Sequence, residues 1–441
     1  MLVEKHSIGS AERRELTFRE RMEHKPAVVV VFHHIGPYHH ARLNAAADRL
    51  SVTGVEWSAE GYDAWGAADS LARYHKISLF PEATEDDPEK PELRRAFYSA
   101  LEQANPDVVT VNGWNNFGSM VAANCCMDRG IPMVVMSESA RDDEPRTWWK
   151  ESIKRRMVGV YSAALVGGQR HVDYLVELGM PRERIFTGYD VVDGDYFRQK
   201  PEEIRSQTSS ASAKPAADRE VRKKYGLPQN YFLASARFIE KKNLPALISA
   251  YAEYRDRSQR AGVTDPGYKG GAPWDLVLLG DGPMWKTLNT QLTTLNLHAH
   301  VYLPGFKQYD ELPIYYALAS AFVHASMTEQ WGLVVNEAIA SGLPVIVSER
   351  CGCAPELVKD NGFKFDPTNQ DELAARLLQM ATLSDDERRR LSDASYRIAA
   401  DFSSDRFAQG LEQAARIAIK PQKRLGLIDR ALLSAAAIFG R

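Results

Sequence analysis

The sequence predicts an α/β fold of two doubly wound, Rossmann-like units. Three observations carry that prediction. Short apolar runs of strand length alternate with helical stretches through most of the chain, the pattern of parallel sheets joined by right-handed crossovers. The pattern occurs twice, on either side of a stretch from Lys200 to Arg219 that is rich in Ser, Ala and charge and low in large apolar residues. At 441 residues the chain has a two-domain length. The expected organisation is a first domain over 1–198, a flexible linker over 199–220, a second domain over 221–402 and a terminal segment over 403–441.

Composition narrows the function classes. Hydrophobic content of 44% supports sizeable cores, and a net charge of −3 gives no footprint for nucleic acid. Four cysteines form two close pairs, Cys125-Cys126 and Cys351-x-Cys353. Neither pair has a His/Cys partner pair at zinc spacing, and four make no disulfide framework. A reducing, cytoplasmic compartment is expected. No apolar run approaches the ~20 residues of a membrane span, and Met1 to His24 is a charged arm without an apolar signal segment.

The first domain opens with Ala27–Phe32, AVVVVF, a buried strand. The turn His33-His34-Ile35-Gly36-Pro37-Tyr38-His39-His40 and a helix over Ala41–Leu50 follow. The dinucleotide pattern G-x-G-x-x-G is absent, so a nicotinamide cofactor gains no support. Four histidines invite a metal, but no Cys, Asp or Glu lies in the turn, and a loop facing a polar ligand looks the same. Further strands are expected at Val52–Trp57, Ile77–Phe80, Val108–Val111, Met133–Met136, Ala164–Val166 and Arg184–Phe186. The acidic run Glu85-Asp86-Asp87 lies among prolines and reads as a solvated loop. Two strand ends fall where such sheets place their sites, Asn112-Gly113-Trp114 and Ser137-Glu138-Ser139-Ala140-Arg141. Asn112, Trp114, Glu138, Ser139 and Arg141 are therefore candidate acceptor-binding residues, with a capped, solvated turn as the plainer reading. The basic stretch Lys150–Met157 could touch anionic lipid or a lipid-pyrophosphate, although a solvated helix face explains such a run more often.

The second domain predicts strands at Phe232–Ser235, Leu276–Leu279, His300–Leu303, Ala321–His324 and Val345–Val347. After the first of these come Arg237 and Lys242, a planar fork and a point charge suited to a diphosphate. Gly280-Asp281-Gly282-Pro283 is a turn signal. After Ala321–His324 a loop carries Glu329, and a helix begins near Trp331-Gly332. That helix holds Glu337 and is stopped by Gly342 and Pro344. Its first N–H groups suit a phosphate, Gly332 lets a ligand approach the backbone, and Glu337 could accept hydrogen bonds from ribose hydroxyls.

The string E-Q-W-G-L-V-V-N-E-A-I-A-S-G-L-P-V-I, from Glu329 to Ile346, resembles the E-x7-E signature of the retaining family 4 glycosyltransferases. Arg237 to Lys242 resembles that family's G-R-x-x-x-x-K segment, with Ala236 in place of Gly. Gly280–Pro283 matches its G-[DE]-G-P turn, Gly305-Phe306 its segment beside the nucleobase, and Gly352-Cys353-Ala354-Pro355-Glu356-Leu357 its G-x-P-E-[LI] string. Gly188–Asp193 with Phe197 resembles the segment that closes the first domain, with Asp190 where Asn is typical. A histidine usual in the first domain has no counterpart between His75 and His171.

The resemblance implies a GT-B fold, with parallel sheets facing across a cleft and a C-terminal helix, Ser403–Ile419, crossing back to the first domain. It implies transfer of a sugar from a nucleotide diphosphate, UDP- or GDP-linked, to a saccharide, lipid-linked or small-molecule hydroxyl with retention. Neither metal nor cofactor is expected, and the setting would be polysaccharide, glycolipid or other glycoconjugate biosynthesis. Glu329, Arg237 and Lys242 become the catalytic candidates. Gly36, Gly280, Phe306, Trp331, Gly332, Leu333 and Glu337 join them as donor-binding residues, with His39 and Arg42 as phosphate or acceptor contacts. A GT-B sugar-nucleotide epimerase and a non-catalytic binding protein are the rival readings. The tail, Leu425 to Arg441, has an apolar stripe with basic flanks; it fits peripheral membrane contact and equally packing on the chain's own first domain.

Overall fold

The computed structural model describes residues 25–58, 72–81, 88–114, 116–209, 214–264 and 271–420. The chain divides into two compact units. One comprises residues up to Asp193 together with Ser404 onward, the other Gly194–Ser403.

The first unit contains β1 (Ala27–Phe32), α1 (Pro37–Ala47), β2 (Ser51–Glu56), β3 (His75–Ser78), α2 (Lys90–Ala104), β4 (Val108–Asn112), α3 (Phe117–Arg129), β5 (Met133–Ser137), α4 (Trp148–Val158), β6 (Ala163–Val166), α5 (Gln169–Glu177) and β7 (Ile185–Thr187). Every strand pair is parallel, in the order β3-β2-β1-β4-β5-β6-β7. A central strand covered on both faces must be apolar throughout, and β1 is buried at all six positions. The chain runs outward from β1 to β3 and then returns to place β4 beside β1. Their carboxyl ends are therefore the topological switch point, where such sheets bind ligands.

The second unit contains α6 (Gly194–Ser209), α7 (Lys214–Tyr225), β8 (Tyr231–Ser235), a short 3-10 turn (Glu240–Lys242), α8 (Leu244–Thr264), β9 (Asp275–Leu279), α9 (Trp285–Thr294), β10 (Val301–Gly305), α10 (Leu312–Leu318), β11 (Ala321–His324), α11 (Leu333–Ala340), β12 (Val345–Ser348), α12 (Ala354–Leu357), β13 (Gly362–Phe365), α13 (Gln370–Thr382) and α14 (Asp385–Ala400). Its sheet is also parallel, in the order β10-β9-β8-β11-β12-β13, so β8 and β11 flank its switch point. Edge strand β13, GFKF, carries too short an apolar pattern to be read from sequence.

The last described helix, α15 (Ser404–Ala418), belongs to the first unit and packs on α1, β6 and β7. Arg49 on the loop after α1 pairs with Asp405 at 3.1 Å and Glu412 at 3.4 Å. A Cβ on Gly410 would lie 2.5 Å from the Thr187 carbonyl, so only glycine lets α15 lie this close to β7.

Three expectations are revised. The stretch read as a flexible linker is mostly helix: α6 lies against α10 and α11 as part of the second unit. The Arg205 guanidinium there donates to the carbonyls of Ala317 at 2.9 Å and Ser341 at 2.7 Å. The first unit accordingly ends at Asp193 rather than near 198. Strand β3 begins two residues before the expected Ile77. The N-terminal arm, Glu85–Asp87, Asn115 and the tail beyond Lys420 lie outside the described residues.

Candidate active site

The second unit's switch point gathers the groups that the sequence singled out. Beyond β8 the chain forms a loop that exposes Arg237 and buries Phe238. That shape depends on the turn after β9. Phe238 N–H donates to Asp281 O at 2.7 Å, and Met284 N–H to Phe238 O at 3.0 Å. Gly280 has φ +130°, and a Cβ there would lie 1.8 Å from Ala236 O. The glycine therefore seats the Arg237 loop against the turn. Further on, Lys242 ends the 3-10 turn, its side chain only 12% exposed.

Beyond β11 the chain places His324, Ser326 and Glu329 together. One Glu329 carboxylate oxygen, Oε2, accepts from the Lys242 ammonium and lies 3.3 Å from both His324 Nε2 and Ser326 Oγ. Burial alone would raise this carboxyl, but His324 and Lys242 outweigh it and hold Glu329 well below the usual carboxylate range. Burial pushes the His324 imidazole down, against the pull of Glu329. A neutral imidazole donating from Nε2 to Glu329 is the tautomer this geometry favours.

The Glu329 loop is itself held by the loop before α12. Gly352 N–H donates to Glu329 O at 2.9 Å and Cys353 N–H to Trp331 O at 3.1 Å. A Cβ on Gly352 would lie 1.7 Å from Gln330 O, which explains the glycine of that string.

Gly332 caps α11 in the left-handed conformation, φ +106°, a geometry glycine adopts without strain. In the first turn Val335 N–H donates to Gly332 O at 2.9 Å, while the Leu333 and Val334 N–H groups come before the helix's own ladder of bonds. Half-buried Leu333 begins the helix. Glu337 lies within α11, its side chain buried, and accepts from Tyr316 Oη at 2.7 Å. Phe306 follows β10 and is 48% exposed.

Several candidate side chains are buried. The Trp331 indole is buried and donates to Asn336 Oδ1 at 2.8 Å, so only its backbone remains as a donor contact. Arg42 is buried in α1, donates from Nε to Val191 O at 2.8 Å and lies over the Tyr189 ring. It faces Asp190, whose carboxyl is pushed well up by burial and by Glu138, with Arg42 opposing. Glu138 is thus drawn to an acid pair that the sequence did not reveal. Trp114 is 4% exposed within the core of the first unit.

Gly36 caps α1 beside open space, at the first unit's switch point with half-buried Asn112. His39 Nδ1 accepts Gly36 N–H at 3.2 Å, leaving Nε2 to carry the proton. Burial, then Arg42 and His34, push its imidazole down to about 3. Ser139 N–H donates to Ser137 Oγ at 3.2 Å, and exposed Arg141 pairs with Glu177. His34 and His40 have separate partners, Ser58 O and Tyr74 Oη. No group of three His, Cys, Asp or Glu among the described residues is arranged to hold a metal. All four thiols are buried; burial pushes that of Cys125 up to about 12. Burial likewise raises the Cys353 thiol well above its usual value, which removes it as a nucleophile.

This architecture is the GT-B fold, two Rossmann-like domains with parallel sheets, and solved glycosyltransferase structures share it. HepE from Anabaena, in complex with UDP and glucose, superimposes with a TM-score of 0.65 at 18% identity, covering 88% of this chain and 98% of that one. Sucrose-phosphate synthase from Thermosynechococcus elongatus gives 0.64 at 17% identity, covering 88% and 98%. Residues 217–398 match the family described as Glycosyl transferases group 1. Escherichia coli O-antigen chain mannosyltransferase B is 29% identical over 216 residues, 48% of this chain and 49% of that protein. The Mycobacterium tuberculosis GDP-mannose-dependent alpha-(1-6)-phosphatidylinositol monomannoside mannosyltransferase is 31% identical over 176 residues, 38% and 42%. The chain therefore spans less than half the length of these two relatives.

Proposed function

We propose that this protein is a retaining glycosyltransferase of family 4 that uses a nucleotide-diphosphate sugar. The observation that supports this most is the gathering of Arg237, Lys242, Glu329 and the α11 start at one switch point, with Glu337 buried behind them. The difficulty of the reaction is a departing diphosphate. Preorganised cations and helix N–H groups aimed at that charge lower the barrier most. Lys242 has three N–H donors; one holds Glu329 and two remain for phosphate oxygens. Arg237 adds a fork of donors. Glu329, kept ionised, accepts from hydroxyls of the donor sugar, and Glu337 from the ribose. The bond from the anomeric carbon to the diphosphate oxygen breaks, and the acceptor oxygen bonds on the same face. The acceptor's proton passes to the departing phosphate.

In this reading metal is not required, and UDP- and GDP-linked sugars are the donor candidates. The acceptor is a saccharide, lipid-linked or small-molecule hydroxyl met by residues of the first unit, with His39, Asn112, Glu138 and Ser139 as candidates. Screening nucleotide sugars for thermal stabilisation and then for turnover tests it. Transfer to an acceptor supports the proposal; isomerisation of the nucleotide sugar without acceptor would replace it with an epimerase.

A further inference from the structure

Large apolar side chains scattered singly on a surface need no explanation, whereas a cluster does. Six are exposed among the described residues, and three lie on helix α4: Trp148 at 85%, Trp149 at 49% and Ile153 at 43%. Successive residues turn about 100° around a helix, so Trp149, Ile153 and Arg156 share one face, with Trp148, Ser152 and Arg155 on its flank. All six are exposed. The opposite side is anchored. Met157 and Val158 are buried, and the Glu151 and Lys154 side chains, 13% and 17% exposed, pair at 3.4 Å and both reach Tyr174 Oη.

This division has a consequence for charge. The helix's one acidic residue is turned inward and matched by Lys154. Its outward side carries Lys150, Arg155 and Arg156 with no acidic residue between them. The Lys150 ammonium lies over the Trp149 ring, 5.6 Å from its centroid. Beside the helix start is a cavity of about 400 Å³ lined by Arg141, Arg146, Trp148 and Arg155, with Glu151 and Glu177 beside Arg146 and Arg141. Indoles with basic neighbours on one helical face suit an interface where one end of the side chain is apolar and the other wet. A fully aqueous role leaves two adjacent indoles in water, and a neutral protein partner makes no use of the basic charge beside them. An anionic bilayer surface satisfies both sets.

We propose that α4 is a membrane-docking element, inserting Trp148, Trp149 and Ile153 at the headgroup–acyl boundary of an anionic bilayer while Lys150, Arg155 and Arg156 contact lipid phosphates. No helix among the described residues is long and apolar enough to cross a membrane, so the contact is peripheral. The argument is independent of the reaction proposed above, because vesicle binding is read without turnover. It also differs from attachment through the tail.

The experiment sediments the full chain with phosphatidylglycerol-rich and with phosphatidylcholine vesicles at low salt. Co-sedimentation with the first is expected and little with the second. Reversing Arg155→Glu with Arg156→Glu weakens partitioning by at least about thirtyfold, from ~1 kcal/mol per cation at the surface. Trp148→Glu with Trp149→Glu and Ile153→Glu weakens it at least about tenfold. Should the triple variant not fold, vesicles with brominated acyl chains give a second reading. They quench the full chain's fluorescence, and Trp148→Phe with Trp149→Phe keeps binding while losing that quenching. The proposal is overturned if the full chain stays in the supernatant, if folded variants partition like the parent, or if brominated lipid quenches both proteins equally. Equal partitioning would point to the tail.

Discussion

Tyr316 Oη donates a 2.7 Å hydrogen bond to Glu337 Oε2, and both side chains are buried. The acceptor expected to receive ribose hydroxyls is thus already oriented by a phenol from the neighbouring helix α10. Hydrogen bonds to charged groups contribute about 1.5–3 kcal/mol. Tyr316→Phe should lower stability by that order in urea unfolding, and Glu337→Gln should weaken nucleoside diphosphate binding about tenfold in isothermal titration. Unchanged binding by Glu337→Gln removes Glu337 from the nucleotide.

Glu329 is expected to act on the sugar rather than the nucleotide. Glu329→Gln should bind the bare nucleoside diphosphate like the parent and lose turnover. The reverse pattern exchanges the roles of the two glutamates.

Lys242 and Glu329 form a pair with side chains 12% and 13% exposed. Removing one partner of such a pair leaves a buried charge and costs about 3–5 kcal/mol. Lys242→Met should therefore destabilise strongly, and adding Glu329→Gln should restore part of the loss. Chemical denaturation of the two single variants and the double variant reads this directly. Simple additivity would show that the two groups are not coupled.

Arg237 is exposed, so its removal should separate binding from stability. Arg237→Ala is expected to reduce turnover at least about tenfold with an unchanged melting temperature. Turnover of the parent should persist in EDTA; loss in chelator with recovery on adding Mg²⁺ or Mn²⁺ would make a metal the phosphate's main partner.

His39 gives the protein an acid-side sensitivity. Its folded-state pKa is depressed from 6.5 to about 3, so the unfolded chain binds the proton first. Its stability contribution is complete above pH 6.5 and falls as pH drops toward 3, by at most ~1.4 kcal/mol per unit. His39→Gln should flatten that part of the stability profile, measured by urea midpoint against pH. An unchanged slope would show that His39 is not the group being titrated.

How far the sequence could be read depends on where each partner sits. Arg237, Lys242, Glu329 and Glu337 belong to strings whose spacing is local, so chain order placed the first three beyond strand ends and Glu337 in the helix that follows. Tyr316, Ser326 and His324 were missed because their role is contact across elements, and an apolar strand ending in His carries no motif. The burial of Trp331, Trp114 and Arg42 was not legible for the converse reason: a large polar or aromatic side chain near a strand end gives no sign in the sequence of what covers it. The supposed linker failed on composition. Ser-rich and charged sequence reads as loose chain, yet Ala, Glu and Arg are also good helix formers. Arg205 then ties α6 to carbonyls more than a hundred residues away.

The close approach of Gly352 to Gln330 O has a further consequence. The Glu329 loop is splinted from behind by main-chain contacts, Gly352 N–H to Glu329 O and Cys353 N–H to Trp331 O, in addition to the side-chain contacts of Glu329. Any residue at 352 other than glycine would displace the Gln330 carbonyl and shift the loop that carries Glu329. Position 352 should therefore behave as a hidden switch for activity, silent in binding chemistry and intolerant in mutational scans.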